Sequence, residues 1–475
     1  MKSDASAEAR PEAEVRVDLN GVMAGSIGAA AGLDPQALAG LGGRLADAVQ
    51  WLEEQRDDGL LPFLDVAARR KALAETRRWA DDLRPGTETL VVLAGGGAGR
   101  GMSALGAALA GHPRRGGEGA VGLIVLDNVD PEEMHRMLAR VDLKRTIFHI
   151  VSRSGASVAS MAQFLVVRER LVQAFGAIEG GRRLLITTDP EEGMLRQLVN
   201  DEGFPGTDFP AALTERFSVL CPELLLGAEL MGIPTDDLLA GAASMQRRCQ
   251  QSPPEANPAA MLAGSFYLLD ILHGQVVNIL MPYSARLGFF ADWWRHLWAE
   301  SLGKRVEEEG SEVALGPTPI RAMGASDHDS QLQLYLDGPA DKVLTFVRVQ
   351  DHGSPLPISA ACADHQEVAP LRGRTMGEVL AAEQLAAEVA LARRGRPSLR
   401  IDLPAVTPFA MGELFTLMEM TVVILARLHG VDAFSQPAAE GVERRVRALL
   451  GGAGAAAAKR ELAAWRECRE GRWIL

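Results

Sequence analysis

From Pro35 to Asp82 apolar side chains recur at helical spacing, with Leu38, Leu41, Leu45, Val49 and Leu52 on one stripe, and this periodicity predicts a helical section. The texture then changes. Short apolar runs rich in β-branched residues occupy 89–94 (TLVVLA), 121–127 (VGLIVLD), 146–151 (TIFHIV), 183–188 (RLLITT) and 217–220 (FSVL), with Ala-, Leu-, Arg- and Glu-rich helical stretches between them. Runs without polar alternation read as strands buried on both faces, and their alternation with helices points to a parallel sheet covered on each side. After the stretch SPPEANP at 252–258 the alternation resumes, with strands at 275–282, 342–349 and 398–403 and helices at 286–303 and 410–429. The expected fold class is α/β, two doubly wound parallel-sheet domains built as α/β/α sandwiches, with flanking N- and C-terminal helices. The expected limits are a disordered tail at 1–14, a helical section at 15–82, a first domain at 83–251, a second at 259–450, and a tail helix at 451–475 that follows an Ala/Gly-rich stretch and ends near Trp473.

Composition narrows the function. With 62 acidic against 49 basic residues the formal charge is −13, which disfavours nucleic-acid and membrane-surface partners. At 475 residues and 47% hydrophobic content the chain can build more than one core, and wholesale disorder is excluded. Cys221, Cys249, Cys362 and Cys468 are scattered without CxxC pairing, so neither a disulfide framework nor a thiolate zinc site is expected, and a reducing cytoplasm fits best. The polar N-terminus lacks a signal-peptide core. The most apolar helix, at 410–429, is interrupted by Glu413 and Glu419, so no membrane span is expected.

Three segments carry candidate chemistry. The turn Ala94 to Gly101 (AGGGAGRG) follows the first strand but fits neither the dinucleotide fingerprint nor the P-loop. It reads either as a tight turn alone or as one whose backbone, at Gly96 and Gly97, approaches a ligand closely. The strand TIFHIV runs into Ser152-Arg153-Ser154-Gly155-Ala156-Ser157-Val158-Ala159-Ser160. Four hydroxyls and a cation at a helix start exceed what N-capping needs and suit a phosphate, which backbone N–H groups and the helix dipole already favour there. Third, Glu300 lies near Trp293, Trp294 and Trp298, either as a general base or as a solvated helix-face carboxylate. His296 and Glu300 share a face, but no third ligand makes a metal site.

In this order the segments resemble the glucose-6-phosphate isomerase family of sugar-isomerase (SIS) folds, over about residues 55–450. The glycine turn is similar to GIGGSxLG, Ser152 to Ser160 to SKSGTTxET, and Thr214-Glu215-Arg216-Phe217-Ser218 to GGRYS. Trp294 to Lys304 is similar to WxxQLxxESxGK, Phe434-Ser435-Gln436-Pro437 with Glu440 to FDQPGVE, and Asp327 to Gly338 to the DQHSQLQLYxEG of one bacterial branch. The resemblance implies interconversion of glucose 6-phosphate and fructose 6-phosphate through a cis-enediolate, without metal or organic cofactor. It casts Glu300 as the base, Arg216 as the cation for the intermediate's oxygen, Ser152, Ser154, Ser157 and Ser160 as phosphate hydroxyls, and Gln436 as a pocket residue. It also implies a homodimer, to which the 410–429 helix contributes if it is not plain core.

Several family positions are changed. The ring-opening histidine and lysine fall on Asp329 and Glu443, the GGS serine on Ala98, the QL glutamine on His296, and the SKSGTTxET lysine and glutamate on Arg153 and Ala159; Arg100 stands where an apolar residue is usual. Opening a hemiacetal needs a proton donor at the ring oxygen and a base at the anomeric hydroxyl. The chain is therefore expected to be a hexose-phosphate isomerase, an isomerase confined to open-chain sugar phosphates, or a sugar-phosphate-binding sensor or partner subunit. His328 and Arg444, each one residue away, are candidates to compensate.

Overall fold

The computed structural model describes residues 14–110, 121–155, 157–210, 212–361 and 365–473. Its centre is two five-stranded sheets. The first is all parallel, in the spatial order Gly122–Leu126, Thr89–Leu93, Thr146–Ser152, Leu184–Thr188 and Gly206–Asp208. Thr146–Ser152 and Leu184–Thr188 are buried at every position, as continuous apolar strands between helical layers must be. The second sheet runs Arg16–Asp18, Ser398–Ala405, Lys342–Asp351, Val277–Pro282 and Thr318–Arg321, parallel except at Arg16–Asp18. The α/β fold class with two doubly wound sheets is as expected.

The differences have local causes. FSVL at 217–220 is no strand: Glu215–Phe217 is a single 3₁₀ turn, and Pro222 opens the helix Pro222–Leu230. Its apolar residues are buried by packing against Phe63, Phe434 and the helix that holds Gly101, a case that a four-residue apolar run cannot distinguish from a strand. The sheet's fifth strand is instead the polar edge Gly206–Asp208. Arg16–Asp18 joins the second sheet rather than the helical section, held at its edge by an Asp18–Arg400 ion pair of 2.6 Å. The strand Thr318–Arg321 and the pair Lys304–Val306 with Glu312–Leu315 add structure that the pattern did not announce. The expected helical stripe is three helices, Pro35–Gly40, Gly42–Asp57 and Val66–Leu83. Of the expected tail, 1–13 lie outside the described residues, as does Cys362.

The helix Pro408–His429 is long and apolar enough to cross a membrane, but 94% of its most apolar window is buried inside the chain. It packs against Thr235–Arg248, Pro258–His273 and Gly288–Leu302, so its apolar surface is plain core and offers no face to a second subunit. Glu413 is tolerated there because it accepts from Val15 N–H (2.7 Å), Ser244 Oγ (2.9 Å) and Arg248 (3.2 Å).

Two glycines set the crossing of this helix with Thr235–Arg248: a Cβ on Gly412 would collide with the Leu238 carbonyl, and one on Gly241 with that of Phe409. Gly412→Ala must push the two backbones apart. It is expected to lower unfolding stability by about 3 kcal/mol, read from the urea midpoint. A shift below about 0.5 kcal/mol, the range of neutral surface substitutions, would refute this account.

Candidate active site

In the first sheet the chain runs from Thr89–Leu93 outward to Gly122–Leu126, then returns across to Thr146–Ser152. The order reverses between Thr89–Leu93 and Thr146–Ser152, and at such a switch point the carboxyl ends of two parallel strands open a crevice. The glycine turn leaves one of these strands and the serine turn leaves the other.

The glycine turn starts the helix Gly96–Leu109, with Gly95 as its N-cap. A Cβ on Gly97 would fall on the Cα of Arg216, so only glycine lets this helix end touch the Glu215–Phe217 turn. Arg216 is 2% exposed and donates through all three of its nitrogens. Its Nε donates to Ser301 Oγ (3.0 Å), one terminal nitrogen to Gln436 Oε1 (2.5 Å), and the other to the carbonyls of Ala433 (2.8 Å) and Ser435 (3.2 Å). Phe217 fixes the turn from below, its ring 4.8 Å from Phe63 and 5.1 Å from Phe434. Burial pulls the Arg216 guanidinium down to about 10, opposed by the carboxylates of Glu300 and Asp432, so it stays charged at neutral pH.

Glu300 comes from the helix Gly288–Leu302. The three tryptophans of this helix pack into the core with Phe266, Phe290 and Phe415, whereas Glu300 is half-buried beside Arg216 and Lys304. Lys304 Nζ donates to the carbonyls of Glu300 (2.5 Å) and Ser435 (2.8 Å). Burial and the Arg216 cation lower its pKa to about 8, against the pull of Asp432 and Glu300.

In the serine turn Gly155 has φ +57° and lies against Thr188 Oγ1. Ser152 and Ser160 are buried, Ser154 is exposed, and Ser157 is the N-cap of the helix Val158–Phe175 without a side-chain cap bond. The backbone donors meet carboxylates: Arg153 N–H donates to Glu215 Oε1 (3.2 Å) and Val158 N–H to Glu443 Oε1 (2.8 Å). Burial raises the Glu215 carboxyl, while the Arg153 N–H and the Arg153 and Arg216 charges hold it down.

The fold thus gathers Gly96, Gly97, Arg153, Arg216, His296, Glu300, Gln436 and Glu443 around the serine turn, while Ala98 is buried in the core. Asp329 is exposed at the end of the Ser326–His328 turn, and among the described residues no hydrogen bond or ion pair joins it to Arg216 or Glu300. His328 faces Tyr283 (Nε2 to OH, 2.6 Å) and Glu383 (3.3 Å), and Arg444 is exposed, folded back over Gly441. Sequence reasoning assigned no role to Glu215, Ser301, Lys304 or Asp432. Glu215 did leave a signal, since Thr214-Glu215 stands where the resembling motif has two glycines.

Two doubly wound sheets, with the glycine and serine turns leaving adjacent strand ends at a switch point, agree with the α/β architecture that the sugar-isomerase resemblance implies. A family model described as phosphoglucose isomerase matches residues 75–446, and the chain belongs to that family. It is similar to the glucose-6-phosphate isomerase of Carboxydothermus hydrogenoformans, 34% identical over 416 residues that cover 86% of this chain and 89% of the relative. A glucose-6-phosphate isomerase of Thermus thermophilus is 32% identical, covering 86% and 94%. Among solved structures, a Thermus thermophilus protein described as hypothetical superposes with a TM-score of 0.82 at 31% identity, covering 92% of this chain and 100% of its own. A Chlamydia trachomatis glucose-6-phosphate isomerase shares the fold, with a TM-score of 0.78 at 17% identity over 92% and 90% of the two chains.

His296, next to Gly96, is lowered to about 3 by burial and by the cations of Arg100, Arg216 and Arg295; buried His149 also falls to about 3 and His429 to about 4. Their folded pKa values lie below the ordinary 6.5, so the unfolded chain binds their protons first. Stability is complete above that value and is lost as pH falls toward the folded values, by at most about 1.4 kcal/mol per pH unit for each histidine. Urea unfolding between pH 7 and 4 should follow this direction, and the His296 imidazole resonances should be flat from pH 5 to 8. A His296 midpoint near 6.5 contradicts the burial argument.

Proposed function

We propose that this protein is an aldose–ketose isomerase that interconverts glucose 6-phosphate and fructose 6-phosphate, with Glu300 as the base. The observation that carries this reading is the immobilised guanidinium of Arg216 beside the Glu300 carboxylate. Glu300 takes the proton from C2 of the open-chain aldose and returns it to C1 through a cis-enediolate, while a hydroxyl proton passes from O2 to O1, so atoms and electrons balance within the sugar. The enediolate oxygen gathers negative charge, and a cation that need not reorganise stabilises it most effectively. Ser152, Arg153, Ser154, Ser157 and Ser160 are assigned to the phosphate, Gly96 and Gly97 to the backbone wall, and Gln436 to the pocket. The setting we propose is a cytoplasmic homodimer.

A second reading, an isomerase of open-chain sugar phosphates or a binding-only member, is favoured by one observation. By the resemblance the ring-opening histidine and lysine fall on Asp329 and Glu443, and His328 and Arg444, which would replace them, are engaged with Tyr283 and Glu383 or exposed. An assay coupling fructose 6-phosphate turnover to a glucose-6-phosphate dehydrogenase separates these cases. Glu300→Gln is expected to cost about 10³-fold in kcat, and Arg216→Lys, which loses the planar fork, about 10²-fold. Turnover undiminished in Glu300→Gln removes the assigned base. A wild-type protein that binds 6-phosphogluconate without turnover favours the binding-only member, and faster turnover of acyclic than of ring-closed substrates favours the open-chain isomerase.

A further inference from the structure

Both ends of the serine turn are held by the protein's own carboxylates. The helix Val158–Phe175 is 18 residues long, and its N-cap Ser157 does not cap it. Its first N–H instead donates to Glu443 Oε1 at 2.8 Å, a carboxylate brought from 285 residues away on the helix Pro437–Leu449. The first N–H groups of a helix have no intrahelical acceptor and carry the positive end of its dipole, so an oxyanion there is well placed. At the other end of the turn, Glu215 Oε1 accepts from Arg153 N–H at 3.2 Å. Between them Thr188 Oγ1, on a residue 0% exposed and lying against Gly155, has no hydrogen-bond partner among the described residues.

We propose that Glu443 is an internal oxyanion in the anion seat of the serine turn, and that a sugar phosphate binds by displacing it. Given the sugar-phosphate reading, on which this rests, a phosphate dianion and the Glu443 carboxylate compete for one N–H and repel each other at close range. Release does not leave Glu443 without a partner, since its carboxylate already lies 3.6 Å from Arg447 one turn along the same helix, and its side chain is 37% exposed. The N-cap of the helix that carries it is Gln436, which Arg216 holds. Displacement removes the contact that pins the Pro437–Leu449 helix to the start of Val158–Phe175 while Gln436 stays anchored on Arg216, and so links occupation of the phosphate seat to that helix. Glu443 is thereby a specificity-setting residue, which sets a high threshold for phosphate and rejects ligands too weakly anionic to displace it.

The test uses the full chain as wild type, Glu443→Gln and Glu443→Ala, with 6-phosphogluconate as the probe in calorimetric titrations and hydrogen exchange. Both variants are expected to bind at least about tenfold more tightly, with KM for fructose 6-phosphate falling in parallel. In the wild type, saturating 6-phosphogluconate is expected to raise deuterium uptake in 437–449 while lowering it in 153–160. In Glu443→Gln it should lower uptake in 153–160 alone. Equal affinities, or protection of 437–449 on binding to the wild type, overturn the proposal and leave the sugar-phosphate reading standing. Binding by none of the three overturns both. The wild-type exchange result decides by itself if a variant does not fold.

Discussion

The buried guanidinium of Arg216 is the constraint from which the arrangement of the site follows. Stripping water from a cation is costly unless acceptors and opposite charges replace it, and here Ser301, Gln436 and the carbonyls of Ala433 and Ser435 do so, with Glu300 and Asp432 as counter-charges. These partners come from the helix Gly288–Leu302 and from the segment before Pro437. One side chain therefore fixes how the turn at Glu215–Phe217, the helix that carries Glu300 and the start of the last long helices meet. Lys304 fastens the same two regions again through the carbonyls of Glu300 and Ser435. The requirement for glycine at position 97 is a direct result, because the helix end must touch the backbone of the residue whose side chain makes these bonds.

The electrostatics of the site are local and nearly balanced. Arg153, Arg216 and Lys304 are set against Glu215, Glu300, Asp432 and Glu443, while Arg100 is drawn toward Asp127 at 3.7 Å. In a chain of net charge −13 neither the global field nor this local sum attracts a dianion. On the proposed sugar-phosphate reading, anion recognition would fall to short-range donors, the N–H groups and hydroxyls of the serine turn, whose effect is confined to the first helical turn. That dependence explains why a carboxylate placed on one of those donors matters more than the same charge elsewhere on the surface.

The sheets were legible in the sequence because their strands are buried on both faces and so read as continuous apolar runs, as at Thr89–Leu93 and Thr146–Ser152. Where burial had another cause the pattern misled: Phe217, Val219 and Leu220 are buried by the Phe63 and Phe434 rings and by the glycine-turn helix, not by strand pairing. Strands with polar faces, Gly206–Asp208 and Arg16–Asp18, gave no periodic signal at all. In the site, Arg216, Gln436 and the serine turn stood out because they sit in ordered motifs. Glu215 did not, since the arginine and serine around it carry that motif's likeness. The reach of a side chain across 285 residues, as from Glu443 to Val158, is a product of tertiary packing that no local spacing encodes.

The two halves of a sugar-isomerase reaction make unequal demands on a cluster of side chains. Passing a proton from C2 to C1 needs a single base that takes the proton and gives it back, the role proposed for Glu300 beside a fixed cation. Opening a ring needs a donor and an acceptor acting together. The nearby imidazole, His296, is neutral across the physiological range and has no proton to spare as an acid, and Lys304 already commits two of its three donors to carbonyls. Arg216 cannot leave its acceptors without unmaking the site. Lys304, lowered to about 8 and with one donor uncommitted, is a proton source in this cluster that the proposed enediolate shuttle does not use.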